Sequence, residues 1–263
     1  MVLDTRSSLN VIFGLITNLV FLLTQSCSSN PEKFLDHYPV SSEPIDNQVE
    51  WQKKLYFKRI SDFENNPIGF NKIIFLGNSI TEGGGDWNQR FKTKNIINRG
   101  ISGDFTSGIL ARLDEIVYYK PKAVFLLVGL NDIFGINDSK ISANYIFEQI
   151  NKIASEINIK SPKTELYIQT ILPVDEKKYL KVKGFYPSHK EPLPEKILDI
   201  NNKITNKSEK NYHVINLYKS FINDNGGPKG FLFEDGVHLN AEGYELWTSI
   251  LEEYIYKFEK INQ

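Results

Sequence analysis

The chain lacks several features by which whole classes of protein are recognised. Among its 263 residues there is one cysteine, Cys27, so no intramolecular disulfide can form and zinc sites built on cysteine clusters are excluded. It has no excess of either charge: 31 basic against 32 acidic residues leave a formal net charge of −1. A nucleic-acid binder carries a basic footprint, and Lys177, Lys178, Lys181 and Lys183 supply only a local stretch that reads as a solvated loop. Phosphate-loop and dinucleotide fingerprints are missing, and the triplet Gly83-Gly84-Gly85 reads instead as a flexible loop beside the site. No repeat or low-complexity tract is visible. The histidines are only His37, His189, His213 and His238. Beyond the pair Asp235 and His238 no acid–histidine group has metal-ligand spacing, and two ligands are too few, so no metal is expected.

What is present begins with an apolar run at 9–23, preceded by Arg6 and followed by Thr24-Gln25-Ser26-Cys27. A run of about 15 residues is short for a membrane span and suits the core of a signal peptide. A cysteine directly after a small residue at the end of such a run resembles a bacterial lipoprotein signal. That resemblance implies a lipidated Cys27 as the first mature residue, and an exported protein held to the membrane by its lipid alone, periplasmic or at the cell surface. Thr24 and Gln25 depart from the usual pattern, and an ordinary cleaved signal or an uncleaved anchor are the alternatives. Residues 1–26 are therefore set apart as a signal peptide, and 27–50, rich in Ser, Pro, Asn and Glu, as a tether. The folded domain is expected over 51–263, long enough and, at 41% hydrophobic, apolar enough for one α/β unit with a sizeable core.

Within it, apolar periodicity predicts helices at 51–63, 105–119, 142–159, 193–209 and 241–258. Short apolar runs bounded by turn residues predict strands at 72–76, 95–98, 123–128, 165–170 and 213–216. Strands alternating with helices imply a five-stranded parallel sheet covered on both faces, a three-layer α/β/α architecture. Trp87 and Phe91 read as core residues. The segment 174–194 is long and aromatic. It reads either as a flap bringing Tyr179, Phe185 and Tyr186 to a substrate or as a surface loop with its aromatics turned inward.

Four short blocks fall at or just beyond strand ends, the edge where open α/β sheets bind ligands. Ser79, in Gly77-Asn78-Ser79-Ile80-Thr81, follows a buried strand at the start of a turn or helix. Its hydroxyl is either a nucleophile or a helix cap. In Asp235-Gly236-Val237-His238 the spacing lets a carboxylate fix an imidazole, which a serine nucleophile needs as its base. The alternative is a loop in which Asp235 only accepts backbone N–H groups. Gly103, in Gly100-Ile101-Ser102-Gly103-Asp104, can offer a backbone N–H at close approach. Asn131, in Gly129-Leu130-Asn131-Asp132, can offer an amide. With the Ser79 N–H these make three oxyanion donors, although Asn-Asp after a strand also suits a turn.

In this order and at this spacing the four blocks resemble the SGNH superfamily of hydrolases, also called the GDSL-like esterase/lipase family, over about residues 70–250. The resemblance implies a flavodoxin-like fold with Ser79, His238 and Asp235 as the triad and Ser79, Gly103 and Asn131 as the oxyanion hole. The family's usual first block is Gly-Asp-Ser, where this chain has Asn78, whose side chain is expected to brace the nucleophile loop. The implied reaction is hydrolysis of carboxylic esters through an acyl-enzyme, without a cofactor. With no long apolar lid in the chain, the expected substrate is a small acyl group, acetyl on a glycan first. Similarity to the platelet-activating-factor acetylhydrolase-like branch makes a short-chain lipid ester the rival. A lysophospholipase or thioesterase, and an inactive glycan-binding lipoprotein, are further alternatives. The sequence is silent on oligomeric state.

Overall fold

The computed structural model describes residues 37–39, 45–46, 48–134, 142–184, 193–207 and 211–259. The apolar run at 9–23, Cys27, Phe185, Tyr186 and His189 lie outside the described residues.

Helix α1 (Glu50–Asn65) leads into strand β1 (Ile73–Gly77), the short helices α2 (Ser79–Gly83) and α3 (Trp87–Phe91), and β2 (Ile96–Gly100). There follow α4 (Thr106–Ala111), α5 (Leu113–Tyr119), β3 (Ala123–Leu127), α6 (Leu130–Phe134), α7 (Ala143–Lys160) and β4 (Glu165–Gln169). The chain continues through α8 (Glu176–Lys183), α9 (Leu193–Asn206), β5 (His213–Ile215), α10 (Leu217–Phe221), a 3-10 turn (Gly230–Leu232) and α11 (Ala241–Glu259). All five strands run parallel in the order β2-β1-β3-β4-β5. The expected five-stranded α/β architecture is therefore the observed one.

Every residue of β1 and β3 is buried, which explains why these strands read as continuous apolar runs rather than alternating ones. Register aligns Phe75 with Phe125, Phe125 with Tyr167, and Tyr167 with His213. Successive rings in this row lie 5.3, 4.7 and 4.9 Å apart, each pair stacked. On this face Trp87 and Phe91 of α3 and Trp247 of α11 close over Phe75. Alternate strand residues point the other way, and α4, α5, α7 and α9 lie against one another in a separate helical group. Truncating a fully buried ring such as Phe75 to alanine costs about 3–5 kcal/mol at sites of this kind.

Three expectations need correction. The helix at 105–119 is two helices, broken at Arg112, where the backbone leaves helical values (φ −114°, ψ 17°). Its buried guanidinium bonds Asp104 Oδ2 and the carbonyls of Arg99 and Gly77, satisfying a group too costly to bury unpaired. The tether at 27–50 is not wholly outside the domain. Tyr38 is buried, donates its hydroxyl to Glu115 at 2.8 Å, and with Ile45 packs against Tyr56, Ile60, Phe63 and Ile101. The Gly83–Gly85 triplet, expected as a flexible loop beside the site, begins inside a helix and is hydrogen-bonded to it. Gly83 closes α2, and Gly84 and Gly85 return N–H bonds to Thr81 and Glu82.

Candidate active site

Strand β1 delivers Ser79 to the sheet's carboxyl edge, and Asn78 takes the capping role that Ser79 could have filled. Asn78 Oδ1 accepts the Ile80 N–H at 3.0 Å, which leaves the serine hydroxyl free for another partner. That partner is His238, whose Nε2 lies 3.0 Å from Ser79 Oγ across 159 residues of sequence. On the ring's other side Nδ1 lies 2.8 Å from Asp235 Oδ2. Asp235 also does what the alternative reading asked of it: Oδ1 accepts the N–H groups of Val237 (3.0 Å) and His238 (2.8 Å).

Burial works against the charge on Asp235. Hydrogen bonds from the His238 side chain and backbone, from Lys183 and from Val237 N–H outweigh it and hold the carboxyl well below the usual carboxylate range. An ionised Asp235 places the ring proton on Nδ1 and leaves Nε2 as the acceptor facing Ser79.

The other two blocks meet at the same place. Ser79, Gly103, Asn131 and His238 line one cavity of about 440 Å³, walled by Trp51, Phe134 and Tyr179. Gly103 sits at φ +79°, and a Cβ there would meet the Trp51 ring, so only glycine suits this turn. Its carbonyl accepts Gln52 Nε2 at 3.1 Å. Asn131 and Asp132 do not form the isolated turn that their sequence allowed. They lie in the first turn of α6 and reach back to the Gly103 block: Asn131 Nδ2 donates to Asp104 O at 2.9 Å, and Asp132 accepts the N–H and hydroxyl of Thr106. An amide carries two donor hydrogens, so one remains for a ligand. Glu82 of α2 accepts the Ser102 N–H at 2.7 Å, joining the first block to the second.

Of the flap aromatics, Tyr179 lies on α8 within the 174–194 segment, stacks on Phe134 at 5.7 Å and lines the cavity. Phe185, Tyr186 and Cys27 fall outside the described residues. The other two described histidines stand elsewhere: His37 against Tyr118 and His213 against Tyr167. Among the described residues no group of three or more His, Cys, Asp or Glu could hold a metal.

Two residues escaped the sequence reading. Trp51 was legible only as one apolar position of a helix, yet it is 59% exposed and lines the cavity mouth, while Tyr56, Ile60 and Phe63 form the helix's buried face. Lys183, read as part of a solvated stretch, places Nζ 3.0 Å from Asp235 Oδ2.

Fold and site together define a class: a parallel α/β domain with a hydrogen-bonded Ser–His–Asp series at the carboxyl edge of its sheet. The chain belongs to the GDSL-like Lipase/Acylhydrolase family, whose model matches residues 75–246. Among curated proteins it is similar to platelet-activating factor acetylhydrolase IB subunit alpha2 of Rattus norvegicus, 25% identical over 190 residues, 70% of this chain and 75% of the relative. Among solved structures it is similar to one from Streptococcus pneumonia provisionally described as a platelet activating factor. That match has 27% identity and TM-score 0.64 and covers 78% of this chain and 92% of the other. A GDSL-like lipase from Bacteroides thetaiotaomicron shares the fold at TM-score 0.62 and 24% identity, over 77% of this chain and 97% of the other.

Proposed function

We propose that the protein is a serine esterase that removes acetyl or other short acyl groups, with glycan esters as its substrates. One observation carries the reading: Ser79, His238 and Asp235 are joined by hydrogen bonds of 3.0 and 2.8 Å and open on a cavity shared with Gly103 and Asn131. In the proposed reaction Ser79 Oγ attacks the acyl carbon as its proton passes to His238 Nε2, with the imidazolium stabilised by Asp235. The N–H groups of Ser79 and Gly103 and the Asn131 amide receive the oxyanion. The intermediate collapses, the alcohol leaves with the proton from His238, and Ser79 holds the acyl group as an ester. Water, deprotonated by His238, then attacks this ester, releases the carboxylic acid and restores the serine.

A short acyl group is supported by the acetylhydrolase named among the relatives. A glycan acceptor is supported by the exposed Trp51 and the stacked Phe134–Tyr179 pair around the opening, flat apolar surfaces suited to sugar faces. The relatives' name equally favours a second reading, a short-chain lipid ester. Activity on p-nitrophenyl acetate should exceed that on the octanoate ester and vanish in Ser79→Ala. Equal rates for wild type and Ser79→Ala would end the proposal. Acetate release from acetylated glycans, set against release from a short-chain lipid ester, decides between the acceptors. We propose further that the protein is exported and anchored through a lipid on Cys27. Labelled palmitate should enter the wild type and not Cys27→Ala.

A further inference from the structure

Helix α8, in the described part 174–184 of the segment 174–194, is joined to the Asp235–His238 loop by more than proximity. Asp175 N–H donates to Gly236 O at 2.9 Å, and Lys178 Nζ donates to Gly230 O at 3.1 Å and Phe233 O at 2.6 Å. Gly236 permits the approach: at φ +94°, a Cβ there would run into the carbonyl oxygen of Asp175 and the amide nitrogen of Tyr179. At the far end of α8, Lys183 Nζ reaches Asp235 Oδ2, the same oxygen that receives His238 Nδ1. One carboxylate oxygen therefore serves both the imidazole and an ammonium.

From this geometry we infer that Lys183 is a positioning residue of the site, acting on His238 through Asp235; this rests on the esterase reading above. The ammonium fixes the shared oxygen and offsets part of the negative charge beside the imidazole. The groups facing the pair are Ser79 from α2, Tyr179 and Lys183 from α8, and Glu234 from the same loop. The hydrogen bond to Asp235, with further help from Tyr179 and Glu234, favours the charged form of Lys183. A histidine–aspartate pair without such a lysine would bind its proton more tightly.

The test is the pH profile of kcat/KM on p-nitrophenyl acetate, followed at a wavelength where nitrophenol and nitrophenolate absorb equally. Wild type is compared with Lys183→Met, Lys183→Gln, Lys183→Arg and Ser79→Ala. Removing the charge should move the acid limb to higher pH by about half a unit to one unit. That is less than a neighbouring charge produces at a buried site, because Lys183 is 39% exposed and solvent screens it. Lys183→Arg should keep the wild-type limb, which a merely structural loss would not predict. If the Met and Gln variants share the wild-type limb while Ser79→Ala is inactive, the inference fails and the esterase reading stands. If Ser79→Ala keeps full activity, the esterase reading itself fails. Should Lys183→Met not fold, Lys183→Gln decides: a limb coincident with that of Lys183→Arg overturns the role of charge.

Discussion

Asn131 and Asp104 stand 27 positions apart in sequence, and the amide of one donates to the backbone carbonyl of the other at 2.9 Å. The bond fixes the rotamer of a side chain that faces the cavity, so the second amide hydrogen is aimed before any ligand arrives. Preorganised donors of this kind matter because they need no rearrangement as charge develops. Asn131→Ala should therefore lower kcat by about 10² to 10³-fold with a much smaller change in KM. Steady-state kinetics on p-nitrophenyl acetate would check this. A loss confined to KM would mean that Asn131 binds the ground state instead.

Asn78 gives a prediction about stability. It is buried and caps the five-residue helix α2, on which the position of Ser79 depends. Asparagine and aspartate cap about equally well, whereas alanine costs about 1 kcal/mol. Asn78→Ala should lower the midpoint of thermal unfolding accordingly and reduce kcat as Ser79 loses its support. Asn78→Asp, which restores the family's usual residue, should keep the cap and retain activity. Unfolding followed by circular dichroism separates the two variants.

These two residues also show how far the sequence could be read. Strand positions were legible because β1 and β3 are buried on both faces and announce themselves as unbroken apolar runs. The blocks around Ser79, Gly103, Asn131 and His238 were legible because their chemistry is local in sequence even where their meeting is not. Arg112 was not: its apolar neighbours keep helical spacing through the break, and only the burial of the guanidinium against Asp104 explains it. Tyr38 was hidden because its stretch shows neither helix nor strand periodicity, although it anchors that stretch through Glu115 with Ile45 on the same cluster. Lys183 escaped because a contact with Asp235 some fifty positions later has no periodicity to betray it. The same holds for Trp51, which meets Gly103 across 52 positions of sequence.

Gly236 tests whether α8 and the Asp235–His238 loop must touch at the backbone. Its φ of +94° is unfavourable for any residue with a Cβ, and Asp175 and Tyr179 occupy the space such a group would need. Gly236→Ala should destabilise the protein by about 1–3 kcal/mol through strain. It should also depress kcat, since displacing α8 or the loop disturbs Asp235. Differential scanning calorimetry with parallel kinetics would measure both. A variant of wild-type stability and rate would show that the contact is dispensable.

Asp132 supplies a pH dependence of stability whose sign runs against the common expectation for an acid. Burial pushes its carboxyl up from 3.8 to about 6, although the hydrogen bonds from the Thr106 hydroxyl and N–H pull the other way. In the unfolded chain the group titrates near the lower value. Between the two, the folded protein holds a proton that the unfolded chain has released, so stability from this group is full below about 3.8 and declines until pH about 6. Asp235 behaves oppositely, because its carboxyl is held down and its contribution is lost as pH falls. Asp104, also raised to about 6 by burial despite Arg112, follows the direction of Asp132. A comparison with Asp132→Asn removes the Asp235 background, and that of Asp104 except for the part the Asp132 charge itself contributes. The stability of wild type relative to Asp132→Asn should therefore be greatest near pH 4 and shrink by on the order of 2 kcal/mol by pH 7. Urea unfolding at half-unit steps would measure it. A difference that stays constant would mean that the Thr106 bonds balance burial, and one that grows with pH that they outweigh it.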